Sequence, residues 1–116
     1  MTHRLYGIPN CDTVKKARVW LDGQGIGYRF HDYKTAGIDA ETLAKWVGEH
    51  GWEVVLNRAG TTFRKLDEAD KAGLNAERAI ALMVAQPSMI KRPVLDLGDR
   101  TLVGFKPETY AAALAD

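Results

Sequence analysis

A chain of 116 residues, 46% hydrophobic and 27% charged, has the composition of one globular domain with a single core. Its net charge of +1 gives no whole-molecule field to draw in nucleic acid or an anionic membrane, and no apolar run approaches membrane-spanning length. The single cysteine, Cys11, cannot form an internal disulfide, and with the scattered His3, His31 and His50 it offers no metal-ligand spacing.

Met1-Thr2-His3-Arg4-Leu5 lacks the apolar core of a signal peptide. A lone thiol without an export signal points to a reducing compartment, so a cytoplasmic location is expected. Residues 3–7 read as a first strand, ended by Gly7 and Pro9. Thr13 to about Gly23 reads as a helix. Val14, Ala17 and Leu21 fall at i, i+3 and i+7, and Trp20 widens the stripe. Asp12 or Thr13 can cap its start, and Gly23 and Gly25 end it. Residues 27–33 alternate aromatic and polar, the period of a second strand. A β-α-β unit of this kind is right-handed with parallel strands.

Lys34 to Ile38 reads as a loop. Asp39 caps a helix through His50, with Leu43, Trp46 and Val47 on its apolar face. Trp52 to Leu56 makes one more helical turn, residues 57–62 a polar loop, and Phe63 to Ala69 a short helix. Asn75 caps a further helix to about Gln86, with Ile80, Met83 and Val84 as its apolar face, and Pro87 stops it. Two short apolar runs around Gly98-Asp99 then predict a β-hairpin, with Pro93 at the first position of its strand. Pro107 opens a last helix to Ala115. The prediction is an α/β fold of order β-α-β, helical insert (about 39–86), β-β-α. It makes a four-stranded mixed sheet with helices on both faces, in a single domain over residues 1–116.

Cys11 lies between a strand end and a helix start. The first backbone N–H groups of a helix lack internal partners, and the macrodipole adds partial positive charge there. Both favour thiolate over thiol. From position alone, Cys11 is either such an activated thiol or a small buried hydrophobe.

Gly7-Ile8-Pro9-Asn10-Cys11-Asp12-Thr13-Val14 and Met89-Ile90-Lys91-Arg92-Pro93-Val94 resemble the arsenate-reductase-like (ArsC/Spx-like) group of the thioredoxin superfamily. With Phe30-His31-Asp32-Tyr33 and Leu56-Asn57-Arg58-Ala59-Gly60-Thr61-Thr62-Phe63, the chain is most similar to the YffB branch of that group. The resemblance implies a thioredoxin-like fold in which Cys11 is the redox nucleophile. It further implies that Arg92 is the arginine beside it and that Pro93 is the superfamily's cis-proline. Val14 stands where Spx-type proteins carry a second cysteine. Of the arginine trio of arsenate reductases, Arg92 is matched; Asn57 takes the second position, with Arg58 adjacent, and Lys106 the third. A lysine there lacks the planar fork that grips an oxyanion.

Without a second cysteine, the resolving thiol must come from outside the chain. Glutathione is the co-substrate that the resemblance implies, and no tightly bound cofactor or metal is expected. Lys15, Arg58, Lys91 and Lys106 are candidate cationic contacts for its carboxylates, beside Arg92 and Pro93; Lys15 and Lys16 are more simply explained as a solvated helix face. The expected function is a glutathione-dependent monothiol oxidoreductase acting on a small thiol or disulfide, with glutaredoxin as a further partner. Alternatives are an Spx-like regulator binding RNA polymerase and a glutaredoxin-coupled arsenate reductase. No direct nucleic-acid or membrane contact is expected, and a monomer is the default.

Overall fold

The structure, a computed structural model, describes residues 3–114. The Met1-Thr2 start and the expected helix end at Ala115 lie outside the described residues. In chain order the elements are β1 (His3–Gly7), α1 (Asp12–Gly23), β2 (Tyr28–Asp32), α2 (Tyr33–Ala36), α3 (Ala40–His50), α4 (Trp52–Val55), α5 (Thr61–Arg64), α6 (Glu68–Lys71), α7 (Ala76–Ala85), a 3₁₀ turn (Pro87–Met89), β3 (Val94–Asp96), β4 (Thr101–Val103) and α8 (Pro107–Leu114). Two compact units emerge: the residues up to Asp32 together with those from Arg92 onward, and Tyr33–Lys91.

The first unit holds the sheet, in the order β2-β1-β3-β4. β1 pairs parallel with β2 and antiparallel with β3, and β3 pairs antiparallel with β4. This is the four-stranded mixed sheet of the expected thioredoxin-like fold. Leu5 and Leu95 are register partners on one face. Against them pack Ala17 and Leu21 from α1 and Tyr110 from α8, all fully buried. Burying each of the large aliphatic side chains is worth roughly 1.5–3 kcal/mol, which makes this cluster the main anchor of α1. Trp20 and Phe105 close the cluster, their rings meeting Tyr110 edge-on at 5.8 and 4.8 Å. The hairpin turns where predicted: Gly98 has φ +98° and Leu97 N–H donates to the Arg100 carbonyl at 2.9 Å.

The second unit is helical. Asp39 caps α3 by accepting from Thr42 N–H at 2.7 Å, and Asn75 caps α7 by accepting from Arg78 N–H at 2.9 Å. Residues 55–57 and 89–91 run side by side: Asn57 N–H donates to the Met89 carbonyl and Lys91 N–H to the Val55 carbonyl, both at 2.8 Å. Three expectations are corrected here. Residues 34–36 are not loop but part of α2, one turn that Gly37 ends with φ +68°. The expected helix from Phe63 to Ala69 is two separate turns, because Asp67 is extended (ψ 151°) between α5 and α6. On α7 the buried residues are Ala79 and Met83, whereas Val84 is 39% exposed. Among the described residues no helix is long and apolar enough to cross a membrane.

Candidate functional site

The loop from β1 to α1 is held from both ends. Gly7 ends β1 against Val14 of α1, so closely that a Cβ at Gly7 would lie 2.8 Å from Val14 Cγ2. Only glycine lets the strand end and the first helical turn approach this closely. Between them the backbone N–H of Cys11 donates to the Ile8 carbonyl at 3.2 Å, and its carbonyl accepts from Lys15 N–H at 2.9 Å. Cys11, with extended φ −90° and ψ 126°, is therefore itself the N-cap residue of α1. Asp12 and Thr13, the expected caps, fall inside the first turn, because the helical hydrogen bonding already starts at the Cys11 carbonyl.

The Cys11 thiol is half-buried and free. Partial burial alone pushes its pKa up. That effect is outweighed by the Val14 N–H, a hydrogen bond from the Arg92 side chain, the Thr13 N–H and the Arg92 charge, so the pKa lies below its ordinary value. The side chain makes no short capping hydrogen bond. The two amides act instead as donors aimed at the sulfur, which favour its anionic form. A serine or threonine cap uses the same positions of the first turn. This is the helix-start electrostatics anticipated from the sequence, with one addition: the particular amides of Thr13 and Val14, which no side-chain pattern signals.

Arg92 reaches Cys11 from the segment before β3. The Arg92–Pro93 peptide is cis, as the resemblance implied. Pro93 is buried and precedes Val94, the first strand residue, so it stands just outside β3 rather than at its first position. Its carbonyl accepts from Gly104 N–H at 2.8 Å, and Gly104 has φ +83°. Thus β3 and the end of β4 hold the proline, and the proline's neighbour meets the thiol.

The other candidates are placed as follows. Lys15 and Lys16 are exposed on α1, and Lys106 is exposed before α8, with its carbonyl accepting from Tyr110 N–H. Arg58 and Lys91 belong to the helical unit. Arg58 places its guanidinium 5.5 Å from the centre of the Trp52 ring, a cation–π contact. Lys91 is exposed, with its backbone tied to Val55. Asn57 lies close to Gly60, where an added Cβ would meet its Nδ2 at 2.9 Å. Of the named side chains, Arg92 is therefore the one that meets Cys11 within the sheet unit. Gly7 was not singled out as a site residue by sequence reasoning. A glycine directly before a Pro-containing turn and a cysteine was the available signal.

A model of the ArsC family matches residues 6–113. A solved YffB protein is 70% identical, covers 97% of this chain and 99% of its own, and superposes with a TM-score of 0.96. An arsenate reductase related protein from Brucella melitensis is 54% identical over 100% of this chain and 97% of its own, with a TM-score of 0.77. The global transcriptional regulator Spx of Streptococcus mutans is 29% identical over 95% of this chain and 81% of its own.

Proposed function

The chain belongs to the ArsC family and has its thiol-reductase-like fold, and on that footing we propose that it is a monothiol oxidoreductase that uses glutathione. What supports the reading is the placement of Cys11 as the N-cap residue of α1, with the Arg92 side chain and the first-turn amides favouring its thiolate. In this scheme the Cys11 thiolate attacks the glutathione sulfur of a mixed disulfide between glutathione and a substrate thiol. The new S–S bond joins Cys11 to glutathione, the old one breaks, and the substrate leaves as a thiolate that takes a proton from water. A second glutathione thiolate then attacks the Cys11 adduct. It releases oxidised glutathione and returns the Cys11 thiolate, so each turnover consumes one free glutathione: the substrate sulfur is reduced to a thiolate and the incoming glutathione sulfur is oxidised into the released disulfide. The cytoplasm is the compartment that supplies this thiol. Lys15 and Lys106 are the sheet-unit cations proposed to meet glutathione's carboxylates, Arg58 and Lys91 carry positive charge on the helical unit, and the active form is a monomer.

Incubation with oxidised glutathione, followed by mass spectrometry, tests the first half. A Cys11–glutathione adduct that Cys11→Ser cannot form is expected. Turnover of a glutathionylated peptide by the wild type and not by Cys11→Ser tests the whole cycle; wild-type turnover no faster than that of Cys11→Ser would sink the reading. The similarity to Spx favours a second reading, a non-catalytic regulator that docks on RNA polymerase. It predicts direct binding to purified polymerase, independent of Cys11 because the chain has no second cysteine for a disulfide switch. The Brucella relative keeps arsenate as a third reading, for which Lys106 is a poorer oxyanion ligand than arginine. Arsenate turnover with glutathione and glutaredoxin tests it.

A further inference from the structure

The outer face of α1 carries a feature that the thiol chemistry does not use. Lys15, Lys16, Val19 and Trp20 on α1, with Phe105 and Pro107 at the start of α8, line a cleft of about 450 Å³. Its floor is almost wholly apolar, and its charged lining residues are the two lysines, with no carboxylate among them. Val19 is 71% exposed, a large hydrophobic side chain presented to water in mid-helix. The aromatic part of the floor is rigid. Trp20 and Phe105 sit edge-on at 6.5 Å, and both pack against the fully buried Tyr110. Outside the lining, Lys106 and Glu108 are exposed on either side of Pro107.

An apolar, preformed floor with a charged rim is the anatomy of a protein contact. Small-molecule sites bury most of their ligand, and a cleft whose wall is 71% exposed at Val19 cannot do so. The charged residues that line the cleft are both cationic, so its complement is acidic. We propose that this cleft is a docking site for a partner protein's acidic segment, anchored by one or two apolar side chains. Val19 lies eight residues beyond Cys11, about 12 Å along the helix axis at 1.5 Å per residue. A docked segment therefore lies one or two turns from the thiol. The proposal goes beyond the glutathione reading and does not depend on it, since binding here needs no reaction at Cys11.

The test uses the full chain and a short peptide with a Leu-Phe pair flanked on both sides by glutamates. A lysine-flanked version serves as control. Titration followed by backbone amide chemical shifts is expected to give saturable changes confined to Lys15–Trp20 and Phe105–Lys106. Val19→Glu or Lys16→Glu is expected to weaken binding about tenfold, the effect of losing a central or charge-matched contact. Both positions are exposed on a helix, where glutamate is well tolerated. Cys11→Ser is expected to bind like the wild type, which separates this test from that of the redox reading. Shifts elsewhere, no saturation at millimolar peptide, or equal binding of the lysine-flanked control would overturn the proposal. So would a concentration-dependent dimer abolished by Val19→Glu, which would assign the cleft to a second copy of the chain.

Discussion

Arg92, the residue before the cis-proline, acts on the Cys11 sulfur at the start of α1 both as a hydrogen-bond donor and as a charge, and each lowers its pKa. Removing it leaves burial opposed only by the Thr13 and Val14 amides. Arg92→Ala is therefore expected to raise the Cys11 pKa and to slow alkylation at neutral pH several-fold. The pH dependence of iodoacetamide modification, wild type beside mutant, reads this directly. An unchanged profile would remove Arg92 from the site.

The same depressed pKa has a stability consequence. Folding favours the deprotonated sulfur, so its contribution is fully present above the pKa of the unfolded chain. It is lost as pH falls through the lower folded-state value. The stability advantage of the wild type over Cys11→Ser should grow as pH rises through that window. The effect is modest, because solvent screens a half-buried group. Urea unfolding of both proteins across pH measures it; parallel curves would mean the sulfur is not differentially ionised.

Gly7 is predicted to be a positioning residue. Gly7→Ala puts a methyl 2.8 Å from Val14 Cγ2, and Val14 is fully buried and cannot easily give way. A loss of about 1–3 kcal/mol is expected, together with a changed Cys11 alkylation profile as the first turn of α1 shifts. Val14→Ala removes the clashing atoms, so the double mutant should lose less than the two single losses added together. Strict additivity in a denaturation cycle would show that the two residues do not compete for space.

Tyr110 should act through its ring. Its hydroxyl donates to the Gly104 carbonyl over a long 3.4 Å, and burial pushes its pKa well up. Tyr110→Phe is expected to cost within about 1 kcal/mol, and Tyr110→Ala about 3–5 kcal/mol through the cavity left beneath Trp20 and Phe105. Equal losses in urea unfolding would shift the anchoring of α8 from packing to the hydroxyl.

The features legible in the sequence were those with a local physical signature. Gly98-Asp99 marked the hairpin because a tight turn needs a positive φ there. Cys11 drew attention because a strand end, a proline and an amphipathic helix flank it within a few residues. Arg92 was different: nothing in spacing connects it to Cys11, and resemblance alone supplied the pairing. The single-turn helices are hard to read because four residues carry too little periodicity, so Lys34–Ala36 reads as loop and the break at Asp67 leaves no signal in the pattern. On α7 a run of apolar residues hid which face is covered. Val84 faces water, while the small Ala79 lies inside.

Cys11 places its sulfur at the start of α1, where Arg92 and the first-turn amides favour the anion, and that placement bears on how long anything attached to it stays attached. A thiol held easily as an anion is also a good leaving group, since the donors that favour the thiolate also favour its expulsion from a disulfide. The favourable anion–amide contact at the helix start is absent while the sulfur is bonded and restored on release. A disulfide at Cys11 would therefore have a good leaving group on the Cys11 side, which suits passing a group onward better than storing it.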